Sequence, residues 1–125
     1  MIILRLTRDQ ARLIEKNFLP YMIMLAKSKA ASVSTGSIKH LRYKIILSLI
    51  HDVQLLFKRK LLTTALKLKF NLSDAHGVAF YIFLMRQPIS DKEIFAQVLR
   101  QQICNHLYQQ LIEPVKSKEE EEYQF

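Results

Sequence analysis

The chain has 125 residues, of which half are hydrophobic and 24% are charged, with two glycines and a formal net charge of +8. This length predicts one domain with its own hydrophobic core, and this composition excludes a largely disordered chain. The single cysteine, Cys104, excludes an internal disulfide framework and favours a reducing, cytoplasmic location.

Positive charge is concentrated in the first half of the sequence. Residues 1–69 carry 14 lysine or arginine residues against three acidic ones, whereas residues 70–115 carry three against four. This asymmetry predicts either an acidic partner for the first half or a surface that is simply biased in charge. No apolar run approaches the roughly 20 residues that a spanning helix needs, so we expect no membrane span.

The opening residues predict a strand followed by a helix. Ile2, Leu4 and Leu6 alternate with less apolar neighbours, and Thr7 is a suitable N-cap for a helix that begins with the next residue. Pro20 lies within the apolar stripe of that helix and predicts a kink or a break.

Residues 26–37 are small and polar and predict a flexible loop. Ser37 can then cap a long helix from Ile38 to about Leu62. This helix is apolar around most of its circumference, which is typical of a helix that lies centrally or is shared with a partner.

A second strand-to-helix unit follows. Residues 66–72 alternate like a strand, and Ser73 can cap the next helix. A last helix is expected from Ser90 to about Ile112, with Asp91 and Glu93 in its first turn. The two units are consistent with an internal duplication or with ordinary strand-to-helix capping.

The predicted fold is a mostly helical α+β domain with two short strands and about four helices in the order β-α-α-β-α-α. An all-α bundle is the alternative, and a third strand over residues 78–85 is another. Residues 1–115 should form the compact domain. Residues 116–125 should form a disordered acidic tail, because Pro114 stops the last helix and four consecutive glutamates repel one another.

The sequence favours no catalytic chemistry. The four histidines are scattered and no two have the helical spacing of a metal-binding pair, while the two glycines form no phosphate-binding loop. We therefore expect no enzyme activity, metal, cofactor or small-molecule substrate.

Binding is the function that the sequence favours. The excess of apolar surface predicts a small protein-interaction, oligomerisation or adaptor module that contacts itself or a protein partner. Its expected interface residues are Ile46, Ile50, Val53, Phe57 and Phe83.

The alternative is a protein that contacts the phosphate backbone of DNA or RNA without reading sequence. Lysines outnumber arginines among its candidate residues, and no known nucleic-acid motif is present. A patch of five cations is expected at Lys58, Arg59, Lys60, Lys67 and Lys69. Three further candidates are Lys39, Arg42 and Lys44.

Overall fold

A computed structural model describes residues 1–112 and has the predicted mostly helical α+β fold. Its elements, in chain order, are β1 (Ile2–Thr7), α1 (Arg8–Leu13), a π-helical segment (Ile14–Phe18), α2 (Leu19–Ala31), α3 (Ile38–Leu61), β2 (Lys67–Leu72), α4 (Asp74–Met85) and α5 (Ile94–Leu111). Residues 8–31 form one unbroken helical stretch, so the order β-α-α-β-α-α is confirmed. The predicted acidic tail, residues 116–125, lies outside the described residues.

The two strands form an antiparallel sheet with one buried face. Leu4 lies opposite Phe70, and the buried side chains alternate with exposed ones along both strands. The buried face consists of Ile2, Leu4, Leu6, Leu68, Phe70 and Leu72. This sheet excludes the all-α alternative, and the helical conformation of α4 excludes a third strand over residues 78–85.

The core is centred on aromatic side chains from three elements. The ring of Phe57, from α3, stacks on that of Phe70, from β2, with centroids 4.2 Å apart. Phe80, from α4, contacts the same cluster at a centroid distance of 6.1 Å from Phe57. All three residues are completely buried, so this cluster joins α3 and α4 to the sheet.

Thr7 is the predicted N-cap of α1 and forms a complete capping box with Gln10. The backbone N–H of Gln10 donates to the Thr7 hydroxyl oxygen at 3.2 Å, and the Thr7 N–H donates to Gln10 Oε1 at 2.9 Å. Ser37 and Ser73 accept equivalent N–H bonds at the starts of α3 and α4. Short polar side chains therefore satisfy the first free N–H groups of three helices, as the sequence predicts.

Replacing Thr7 with alanine should lower the free energy of unfolding by about 1 kcal/mol, because the capping bond to Gln10 is lost. Urea denaturation followed by circular dichroism would measure the change. Thr64→Ala is the matched control, since Thr64 is exposed and caps no helix. Equal losses in the two variants would contradict the assigned role of Thr7.

Pro20 is accommodated by a change of helix type rather than by a break. Proline has no N–H to donate and its ring crowds the preceding turn. In the π-helical segment just before it, the N–H of Leu19 donates to the carbonyl of Ile14, five residues earlier. Pro20 then lies in the first turn of α2, where a missing N–H costs little. The expected kink is therefore a π-bulge.

The predicted loop over residues 26–37 is wrong for its first half, because α2 continues to Ala31. Ala26 and Ala30 are buried where α2 packs along α3, and alanine has the highest helix propensity. The remaining connection, residues 32–37, contains Gly36 at φ +83°, a left-handed conformation that favours glycine.

The last helix also begins later than predicted, at Ile94 instead of Ser90. The carbonyl of Ser90 accepts the N–H of Glu93 at 2.9 Å and the side-chain amide of Gln97 at 2.9 Å. These bonds fix a turn before the helix, so Asp91 and Glu93 precede α5 and do not lie in its first turn.

The side chain of Arg8 stabilises the connection between α3 and β2 by hydrogen bonds. Its guanidinium donates to the carbonyls of Leu61 at 2.6 Å and Ala65 at 3.4 Å, and also to that of Thr63. The backbone N–H of Arg8 donates to the carbonyl of Leu66 at 2.9 Å. One side chain from α1 thus satisfies carbonyls that neither α3 nor β2 can pair.

Candidate functional site

The side chains of the predicted interface face the core of the domain. Ile50, Val53 and Phe57 are buried in the core, as is Phe83 of α4, so none of these side chains is available to a partner. Ile46 is partly buried and packs against the same core. The physical reason is that the sheet, α2 and α4 already cover this side of the helix within one molecule.

Within residues 1–112, the opposite side of α3 is rich in apolar side chains that no other element covers. Five large apolar side chains there are 51–85% exposed. They follow alternating steps of three and four residues together with exposed Ser48, Asp52 and Arg59. We call these positions the outer stripe: Ile38, Leu41, Ile45, Ser48, Asp52, Leu55, Arg59 and Leu62. The spacing is visible in the sequence, but a helix that is apolar on two sides does not reveal which side its own domain covers.

The eight predicted cations fall into separate groups. Lys58, Arg59 and Lys60 occupy the last turn of α3, and Lys67 and Lys69 lie on the exposed face of β2. The other three, Lys39, Arg42 and Lys44, are exposed at the opposite end of α3. At 1.5 Å per residue, about 20 Å of helix separates Lys44 from Lys58. The three residues at the start of α3 are therefore separate from the predicted five-residue patch.

The sheet adds a cation that sequence reasoning missed. Arg5 lies directly opposite Lys69 in the register of the two strands. The Ile3 N–H and C=O both bond to the side-chain amide of Gln110, at 2.9 and 3.0 Å, and so point away from β2. By the alternation of an antiparallel ladder, Arg5 and Lys69 form a non-hydrogen-bonded pair, whose Cα atoms lie only about 4.5 Å apart. Strand register is not readable from the sequence, which is why Arg5 was missed.

A concavity of about 370 Å³ lies beside this pair. Its polar lining consists of Arg5, Thr7, Gln10, Lys67 and Lys69, and we call it the Arg5 concavity. Two ion pairs occur among residues 1–112, one between the Met1 amine and Asp74 and one between His76 and Asp52. Neither pair includes a cation of the concavity, so its positive charge has no carboxylate partner within the described part of the chain.

The β1 side of the sheet is closed by α5. The amide of Gln110 donates to the Ile3 carbonyl and accepts from the Ile3 N–H, as a neighbouring strand would. The Thr7 N–H on the same edge is occupied by Gln10. Side chains from two helices therefore take the place of a third strand at Ile3 and at the Thr7 N–H.

The surroundings of Cys104 and His76 indicate roles in the fold and not in catalysis. Burial raises the pKa of the Cys104 thiol, against the opposing influence of the Arg100 guanidinium, so the reactive thiolate is disfavoured. His76 Nε2 bonds to Asp52 Oδ2 at 2.9 Å and so joins the start of α4 to α3. Among the described residues, no three His, Cys, Asp or Glu side chains are grouped so that they could hold a metal ion.

Comparisons of the chain with known protein families, with curated proteins and with solved structures found no match. Within residues 1–112, no helix combines the length and the apolar character that crossing a bilayer requires.

Proposed function

We propose that this protein is a protein-interaction module that self-associates through the outer stripe of α3. The observation that carries the proposal is the exposure of five large apolar side chains on one face of α3, four of them within the 24-residue helix and the fifth, Leu62, at its C-cap. Monomeric proteins rarely leave this many large apolar side chains exposed on one face of a helix. A second copy of the chain offers the same surface, and two-fold pairing is the commonest way to cover it.

The spacing of the outer stripe fits a second helix. Alternating three- and four-residue steps are those of the a and d positions of a coiled-coil seam. In an antiparallel pair whose two-fold axis is level with residue 50, Ile45 faces Leu55 of the second copy, and Ser48 faces its Asp52. A parallel pair would instead place Asp52 against Asp52 and Arg59 against Arg59. The charges of Asp52 and Arg59, within the stripe itself, therefore favour the antiparallel arrangement.

A charge introduced into the stripe should break the dimer. We expect Ile45→Glu and Leu55→Glu each to raise the dimer dissociation constant at least about tenfold, because the glutamate would be desolvated without a partner. Sedimentation equilibrium over a wide range of protein concentration would measure this constant. Met85→Glu is the matched control, because Met85 is 57% exposed but lies on α4, away from the stripe.

The same experiment can contradict the proposal. A wild-type protein that stays monomeric at every concentration would overturn it, as would equal weakening by Met85→Glu. Salt gives an independent check. Raising sodium chloride from about 50 to about 500 mM should tighten the dimer, because antiparallel pairing brings Lys39, Arg42 and Lys44 of each copy towards the basic end of the other α3.

The other functional expectations stay predictions. These are the cytoplasmic location, the lack of enzyme activity and an adaptor role toward a different protein. Nucleic-acid contact also stays a prediction, and salt separates it from self-association because binding to phosphates weakens as salt rises.

A further inference from the structure

The cations on the exposed face of the sheet repel one another and so destabilise the free protein. Like charges directly opposite each other on neighbouring strands are destabilising, and the pair formed by Arg5 and Lys69 is of the closely spaced kind. Lys67 lies two residues from Lys69 on the same exposed face. No carboxylate of residues 1–112 forms an ion pair with any of the three. An anion at this point would relieve the repulsion.

The shape of the surface provides a place for such an anion. The three cations line the same concavity, which has a volume of about 370 Å³. Gln10 lines it as well, and its Oε1 is occupied by the Thr7 N–H. The amide Nε2 of Gln10 has no hydrogen-bond partner among the described residues and remains available as a further donor.

We propose that the Arg5 concavity binds a phosphate group. A phosphate offers several acceptor oxygens at once, which suits one guanidinium and two ammonium groups better than the two oxygens of a carboxylate do. The group would belong to a nucleic-acid backbone or to a free polyphosphate. The site involves the sheet and not the outer stripe, so it is independent of self-association.

The surface around the concavity predicts contact with phosphate and not with bases. The exposed sheet face consists of Ile3, Arg5, Thr7, Lys67, Lys69 and Asn71. None of these side chains is aromatic, so this face provides no stacking platform for unpaired bases. Phosphate contacts position a nucleic acid without selecting its sequence. Any oligonucleotide bound here should therefore bind irrespective of sequence.

The first test measures the full-length protein with sodium pyrophosphate and with sodium chloride at matched ionic strength. Pyrophosphate should raise the unfolding temperature more than chloride does, because a ligand that binds only the folded state stabilises it. In Arg5→Gln/Lys69→Gln, the apparent dissociation constant for pyrophosphate should rise at least about tenfold. Lys16→Gln/Lys27→Gln is the matched control, because it removes two exposed cations elsewhere and should leave binding close to wild type.

A second measurement distinguishes the site from general charge attraction. In chloride alone, Lys69→Gln should unfold at a higher temperature than the wild type, since the repulsion with Arg5 is removed. A variant that is both more stable and weaker in binding is expected of a binding site and not of a damaged fold. If Lys69→Gln lowered stability, or if the control variant lost binding equally, the proposal would be overturned.

The source of the phosphate is decided by fluorescence anisotropy with a labelled 12-residue oligothymidylate and a labelled poly-glutamate peptide. Oligothymidylate binding that Arg5→Gln/Lys69→Gln abolishes supports a nucleic-acid backbone, whereas a response to pyrophosphate alone supports a free polyphosphate. Poly-glutamate that binds more tightly than both would overturn the proposal in favour of an acidic protein partner. Failure of every probe would also overturn it. Repeating the titrations with Ile45→Glu, which should weaken the dimer, shows whether phosphate binding depends on self-association.

Discussion

Replacing Phe57 with alanine should lower the free energy of unfolding by about 3–5 kcal/mol, the largest effect we expect from a single substitution. The ring is completely buried and stacks on Phe70 at 4.2 Å. It also contacts Phe80, so its removal leaves a cavity where α3, α4 and the sheet meet. The stacked pair contributes roughly 0.5–1.5 kcal/mol beyond simple burial, and this contribution is lost as well.

Urea denaturation of Phe57→Ala, followed by circular dichroism, would measure the change, with an unaltered m-value showing that only stability has changed. Phe57→Leu should cost less, because it keeps most of the side-chain volume. Phe95→Ala is the surface control, since Phe95 is 56% exposed on α5, and it should change stability by no more than about 0.5 kcal/mol. If Phe57→Ala and Phe95→Ala were equivalent, the core would not be centred on this cluster.

Replacing Arg8 with methionine should cost on the order of 2 kcal/mol, the second largest effect. Hydrogen bonds to a charged group are worth about 1.5–3 kcal/mol, and Arg8 donates to three carbonyls of the connection between α3 and β2. The site is partly exposed, so water can replace some of these bonds and the loss should fall below their sum. The stem of methionine keeps much of the packing, so the measured change reports chiefly on the guanidinium.

Arg8→Lys is the informative companion to this variant. A lysine ammonium lacks the planar fork that reaches several carbonyls together, so it should recover less than half of the lost stability. Arg12→Met is the matched control, because Arg12 is exposed one turn later and has no hydrogen bond or ion pair in residues 1–112. Thermal and urea unfolding would measure the loss of stability in Arg8→Met, Arg8→Lys and Arg12→Met. Full rescue by lysine would show that charge alone holds the connection.

Local signals account for the parts of the fold that the sequence predicts well. The alternation of β1 and β2 and the hydroxyl caps Thr7, Ser37 and Ser73 act within a few residues of one another, so their consequences are visible in a linear pattern. The two wrong helix boundaries occur where a contact beyond the neighbouring residues determines where the helix ends or begins. Burial of Ala30 against α3 extends α2, and a side-chain bond from Gln97 to Ser90 delays α5.

The sequence predicts the candidate surfaces less well, because they depend on which faces of the helices and strands pack against each other. Periodicity shows that α3 is apolar on more than one side, but only the packing of the sheet and α4 shows that Phe57 faces inward and Ile45 outward. Similarly, Lys67 and Lys69 share one face because strand side chains alternate, as predicted. The position of Arg5 opposite Lys69 follows from a pairing of strands more than 60 residues apart, and no local pattern encodes it.

The bonds between Gln110 and Ile3 limit how this protein can aggregate. A fibre that grows by adding strands needs two open sheet edges on every molecule, one to accept a strand and one to offer the next. The Gln110 amide occupies the backbone N–H and C=O of Ile3, and α5 packs beside β1, so β2 offers the less obstructed edge to a strand from another molecule. Joining through β2 alone would end after two copies, because each copy would then have used that edge. One side-chain amide thus opposes strand addition at the Ile3 end of β1.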